Sequence, residues 1–260
     1  MMPLLILVTV LTTSILSGVV GMAGGMILMA VLTLLLPVPT AMLLHGVTQT
    51  GANGSRAWFL RRHLRWRVLP PYAAGALLCL SLFAWLTLIP DPALVLILIG
   101  LFPWIGRILP AIERLDVRRA PAGFACGVIV TSAQLLAGAS GPLLDVFFLR
   151  SRLSRQEIVA TKAITQTLGH LTKLAYYGGV LLLAGPSLPQ ALGDATAPSA
   201  DGAPPWLFLT VVPVALLGTR LGVRILHQLD EARFRRLSGR VILAIGAACT
   251  MSGIVELAGR

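Results

Sequence analysis

Apolar residues gather along this chain in long runs broken by short polar segments. Residues 3–36, 68–90, 92–109, 120–149, 205–223 and 241–258 each hold roughly 18 or more residues almost without charge, enough to cross a ~30 Å hydrocarbon layer. Two further segments, 40–60 and 156–183, are long enough to cross but carry polar side chains within them. The pattern predicts an all-α polytopic membrane protein. The first run has no Lys or Arg ahead of its apolar core and stays apolar to Leu36. It therefore reads as a retained membrane segment rather than a cleaved leader.

Composition agrees. The 260 residues are 56% hydrophobic and 12% charged, with mean hydropathy +0.85, whereas soluble domains carry about 25% charged residues. The net charge of +11 would suggest nucleic acid in a soluble protein, but its placement points to topology instead. Seventeen of the 21 basic residues fall in 61–67, 107–119, 150–155 and 220–240. The positive-inside rule makes these segments cytoplasmic. The stretches around Pro37–Pro39, Pro90–Pro92 and Ala184–Pro205 lack Lys and Arg and face outward.

Threading the chain through these assignments gives crossings at 40–60, 68–88, 93–109, 156–183, 205–223 and 241–258. Residues 120–149 begin and end on the basic side, so they are expected to form a hairpin inside the membrane, turning at Ala137–Pro142. Residues 3–36 form the mirror case, turning near Gly21–Gly25. Irregular backbone at that depth survives only where protein or a water-filled cavity covers it. Loop 185–204 is rich in Pro, Ala and Gly and reads as an exposed connection. The segment 224–240 reads as a short amphipathic surface helix. Cys79, Cys126 and Cys249 stand far apart in apolar runs, with no metal-ligand spacing. They read as packing residues, and no metal or cofactor is expected.

The chain also repeats itself. Val47–Arg56 lies over Ile164–Lys173 at a constant offset of 117. Thr-Gln-Thr is identical in both, Ser55 meets Thr172, Arg56 meets Lys173, and Phe59 meets Tyr176. At an offset of 116, Ala23-Gly24-Gly25 lies over Ala139-Ser140-Gly141. This gives repeat 1 over 1–112 and repeat 2 over 113–260, each a hairpin segment followed by three transmembrane helices. The charge-based path runs the first Thr-Gln-Thr helix inward and the second outward, so the repeats are inverted. Inverted repeats with broken helices near the midplane are a recurring design of secondary transporters, because rocking one half on the other interconverts outward-open and inward-open states.

Polar groups at that depth are costly and mark the candidate substrate site. Gln49 and Asn53 share one helix face, as do Gln166 and His170. They could bind a ligand, or serve as interhelical hydrogen bonds worth about 0.6–2 kcal/mol. Each turn should open a half-helix whose free N–H groups suit an oxyanion. Gly24 and Gly25, with Ser140 and Gly141, would allow the backbone close to it, and Pro142 fits the first helical turn. Lys173 is deep enough to lend the cavity positive potential, whereas Arg56 reads as reaching for the interface. His170 and Asp145 are the candidates for coupling a proton; Asp145 could instead pair with Arg150.

This pattern resembles the sulfite exporter TauE/SafE family of membrane transporters. The likeness is carried by Ser17-Gly18-Val19-Val20-Gly21-Met22-Ala23-Gly24-Gly25, Arg61-Arg62-His63-Leu64-Arg65-Trp66 and Gly138-Ala139-Ser140-Gly141-Pro142. Val159-Ala160-Thr161-Lys162 and Lys173-Leu174-Ala175-Tyr176 add to it. The resemblance implies movement of small anions (sulfite, organosulfonates or simple carboxylates) across the cytoplasmic membrane. Ala139 and Ser140 depart from the family's glycine-richer second turn, as does Asp145, and leave the substrate open. The partners implied are a small anion and the lipid bilayer, without nucleic acid; a proton as coupling ion and a homodimer are left open. A passive anion channel is one alternative. Another is an intramembrane serine protease using Ser140, in the Gly138-Ala139-Ser140-Gly141 turn, with His170; no enzyme is expected.

Overall fold

A computed structural model describes residues 1–20, 23–108, 115–149, 151–184, 203–226 and 231–259. All regular structure among them is helical: α1 (Met2–Val20), α2 (Ala23–Leu35), α3 (Val38–Phe59), α4 (Leu69–Leu86), α5 (Pro92–Ile108), α6 (Ala120–Ala137), α7 (Gly141–Leu149), α8 (Arg155–Ala184), α9 (Pro205–Leu226) and α10 (Glu231–Ala258). Short 3₁₀ turns at Arg61–His63 and Trp66–Val68 join α3 to α4. Many helices open on proline: Pro39, Pro70, Pro92, Pro121, Pro142 and Pro205 stand in first turns, where the missing N–H has no intrahelical acceptor to lose. Ser154 and Glu157 close a reciprocal cap on α8, the serine N–H donating to the carboxylate at 2.8 Å.

Four described helices are long and apolar enough to cross a membrane: Met2–Val19, Trp66–Leu86, Ala120–Ala137 and Pro205–Ile225. α3 and α8 fall outside that set although their 22 and 30 residues extend about 33 and 45 Å. Their polar side chains lower the hydropathy, and neighbouring helices shield them. The outward surface is apolar, with Trp85 and Leu209 nearly four-fifths exposed, as a lipid-facing shell requires.

The helix breaks fall where the sequence puts the turns. α1 ends at Val20 and α2 starts at Ala23, with Gly21 and Met22 outside the described residues. α6 ends at Ala137 and α7 starts at Gly141. Val117 donates its N–H to Phe147 O at 3.1 Å, so the entry to α6 and the end of α7 lie together. The Arg118 guanidinium on Asp116 in the same loop holds that carboxyl below its usual range. Arg65 forms an ion pair with Glu157 and its N–H donates to Thr161 Oγ1 at 3.1 Å. The basic segment 61–67 and the start of α8 therefore share one end of the bundle.

One expectation changes. The surface helix assigned to 224–240 is not a separate element, because α9 continues to Leu226 and α10 runs unbroken from Glu231. A helix satisfies its backbone internally whatever its polarity, so a change from charged to apolar sequence need not end it. Most of the loop over 185–204 lies outside the described residues.

α3 packs along α8, α1 on α9, α4 on α6 and α5 on α10. Glycines allow the closest approach. A Cβ on Gly222 of α9 would come within 2.8 Å of Gly18 Cα in α1 and overlap Ile15 O. Gly222→Leu is expected to lower stability by about 1–3 kcal/mol, the usual effect of overpacking, read as a lower thermal midpoint in detergent. An unchanged midpoint would show that the α1–α9 seam is looser than its geometry.

Candidate functional site

Two polar stripes face each other where α3 meets α8. α3 presents His45, Gln49, Asn53 and Arg56; α8 presents Lys162, Gln166, His170 and Lys173. Steps of four, four and three keep each set on one helix face. Each α3 residue stands 117 positions before its α8 counterpart. The sequence reading used three of these four pairs and missed His45 over Lys162, although the same offset reveals it.

Between the stripes lies a cavity of about 30 Å³ lined by Ser17, Gly25, His45, Gln49, Asn53, Arg56, Gln134, Ala139, Ser140, Gly141, Gln166 and His170, with Met26. That is room for about two waters. Of the residues singled out in the sequence, Gly25, Gln49, Asn53, Ser140, Gly141, Gln166 and His170 meet here. Gly24 does not line the cavity; it packs on Thr13 and Ser17 of α1. Arg56 does line it, rather than only reaching toward the interface.

Hydrogen bonds fix most of the wall. Asn53 Nδ2 donates to Gln49 Oε1 at 3.3 Å. Ser140 Oγ donates to Gln134 Oε1 at 2.6 Å, and Gln134 Nε2 meets His170 Nδ1 at 2.5 Å and Gly138 O at 3.3 Å. Gln134 is an α6 residue that the sequence reading missed, because its counterpart at the turn's offset of 116 is Gly18 and no matched amide marks it. The amide stands between the hydroxyl and the imidazole. Ser140 and His170 are therefore not paired as acyl transfer requires, and the protease alternative fails on geometry.

Lys173 lies behind the cavity wall with no exposed surface. Its Nζ lies 2.8 Å from His45 Nδ1 and donates to Gly138 O at 3.1 Å. The Gly25 carbonyl only accepts, so the ring proton sits on Nε2, 2.9 Å from Gly25 O, and Nδ1 accepts from the lysine nitrogen. A continuous chain thus runs from the start of α2, through α3 and α8, to the end of α6. At the opposite end of the stripes Lys162 is ion-paired with Asp145 and lies within electrostatic reach of Arg56. Asp145 thus takes Lys162 as its partner; Arg150 lies outside the described residues. Among the described residues no group of three or more His, Cys, Asp or Glu could hold a metal, and the three cysteines are free and buried.

A protein-family model described as sulfite exporter TauE/SafE matches residues 5–249. No curated protein and no solved structure matches the chain.

Proposed function

The chain belongs to the sulfite exporter TauE/SafE family, whose members are transporters rather than enzymes, and from that premise we propose a secondary carrier of a small anion, working by alternating access across the cytoplasmic membrane. The halves are 1–112 and 113–260, inverted about an axis in the membrane plane. The observation that carries this reading is the meeting of matched residues from both halves at one cavity: Gln49 and Asn53 with Gly25 from the first, Gln166 and His170 with Ser140 and Gly141 from the second.

The packing supports the symmetry. Contact of α1 with α9 repeats as contact of α6 with α4, and contact of α3 with α9 as that of α8 with α4. The contact between Lys173 and His45 repeats as the proximity of Arg56 and Lys162. An inverted repeat would generate these correspondences; separate helices would not.

The cavity chemistry suits an anion. With His170 Nδ1 accepting from Gln134, the imidazole keeps its proton on Nε2 as a donor for a ligand. The Gln49 and Gln166 amides and the Arg56 guanidinium add further donors. Among the described residues no acid lines the cavity. A small oxyanion needs more space than two waters leave, so binding requires the stripes or the turns to separate, as a carrier's cycle demands. Sulfite, a small sulfonate or a simple carboxylate is the substrate class. His170, or Asp145 with Lys162, would exchange the coupling proton, and one chain holds a complete site whether or not it dimerises.

Gln49→Ala and Gln166→Ala are each expected to reduce saturable uptake into proteoliposomes by about tenfold, a loss of about 1.4 kcal/mol of differential binding. Membrane insertion should be unchanged. Wild-type rates in the double substitution would remove both residues from the site. Counterflow separates a carrier from a channel, and a thermal-shift series with sulfite, sulfonates and carboxylates ranks the substrates, since a ligand that binds only the folded form raises its midpoint.

A further inference from the structure

A second, larger cavity of about 380 Å³ opens between the ends of α3 and α9. Its walls are mainly apolar, from Phe59, Leu216 and Val223, yet three guanidiniums, those of Arg56, Arg220 and Arg224, line it, and among the described residues no acid does. A small inorganic anion has no use for the apolar walls, and an apolar molecule has none for the arginines. The combination fits an amphiphile with a negative head.

The outer face of α9 extends the argument. Trp206, Leu209, Pro213 and Leu217 are exposed along one stripe, and Arg220 and Arg224 continue the same stripe. From Trp206, beside the outward loop, the stripe reaches Arg224 after about 27 Å of helix, close to the full ~30 Å hydrocarbon core. The arginines follow where the headgroups of the basic, cytoplasmic side begin. A chain laid along the stripe would bring its phosphate to Arg220 and Arg224 and its upper methylenes against Phe59 and Val223. Basic pockets between transmembrane helices on the cytoplasmic side are suited to acidic lipid headgroups.

We infer that the α3–α9 cavity is a binding site for an anionic phospholipid of the cytoplasmic leaflet. The site reaches the central cavity through Arg56, which lines both, so lipid occupancy fixes the position of a guanidinium that also faces the substrate. The inference does not depend on the identity of the substrate, and its test does not read transport.

The test is native mass spectrometry of the full chain released from nanodiscs of phosphatidylglycerol and phosphatidylcholine in equal amounts. Wild type should retain phosphatidylglycerol at least fivefold over phosphatidylcholine, and Arg220→Ala/Arg224→Ala should remove the preference. The charge-conserving Arg220→Lys/Arg224→Lys variant should restore most of it, which separates loss of the site from loss of the fold. Phosphatidylglycerol should also raise the thermal midpoint of wild type more than inorganic phosphate does. Equal retention of the two lipids by wild type, an unchanged preference in the alanine variant, or an equal shift from phosphate alone would overturn the assignment. A particle of two chains that retains no lipid would assign this face to a second copy instead.

Discussion

Lys173→Met is expected to reduce transport by about 100-fold or more while the protein still inserts in the membrane. The methionine matches the length of the lysine stem but has no donor for His45 Nδ1 or Gly138 O, which the ammonium now meets at 2.8 and 3.1 Å. Both acceptors are out of reach of bulk water; Gly138 O keeps Gln134 Nε2 as a donor, but His45 Nδ1 is left without a partner, which costs about 1–3 kcal/mol. The local consequence is larger than the loss of one contact, because this chain joins the backbone at both helix breaks, at Gly25 and at Gly138. Without it, the start of α2 and the end of α6 are no longer held to one geometry, and the donors around the cavity lose their shared frame. A loss of 2.7 kcal/mol in differential binding already corresponds to about 100-fold. Uptake into proteoliposomes, normalised to inserted protein, measures it. Near-normal uptake would mean that Lys173 only fills space. Lys173→Arg should recover part of the activity, since it restores donors but replaces a compact ammonium with a planar fork.

The same chain of contacts shows what the sequence could and could not reveal. The breaks near Gly21–Gly25 and Ala137–Pro142 were legible, because glycine and proline interrupt an apolar run there for backbone reasons that need no tertiary context. Gln49, Asn53, Gln166 and His170 were legible as well: a polar residue inside a crossing stands out against its surroundings. Lys173 was visible as a deep cation, and the 117-residue offset marks His45 over Lys162, but that His45 is the partner of Lys173 shows only when α8 is laid beside α3. Gln134 was hidden for another reason. It comes from α6, outside the matched Thr-Gln-Thr helices, and acts by standing between Ser140 and His170. Only the folded turn makes that visible. Asp145 was visible as an isolated acid, yet its partner Lys162 lies one helix away across a turn whose direction depends on packing. The surface helix assigned to 224–240 failed because polarity reports the environment of a helix and not its ends.

Gly138→Val tests the second break directly and is expected to lower stability by about 3 kcal/mol. Gly138 ends α6 with φ +69°, and its N–H donates to Gln134 O at 3.0 Å. In that left-handed region a Cβ crowds the following carbonyl, which costs roughly 1–2 kcal/mol, and a β-branched residue suffers more. A Cβ there would also meet the Met29 side chain and lie 2.8 Å from Met42 Sδ, so overpacking adds about 1–3 kcal/mol, softened by the flexibility of methionine. The carbonyl of Gly138 is the acceptor shared by Lys173 and Gln134, so any rotation that relieves the strain turns it away from both. Transport should therefore fall along with the thermal midpoint. Gly138→Asn provides the control, because asparagine tolerates the left-handed conformation. It should recover the backbone share of the lost stability while keeping the steric share, giving a midpoint between wild type and valine. A valine variant as stable and as active as wild type would show that the chain can leave α6 by another path, and that the turn does not hold the cavity wall.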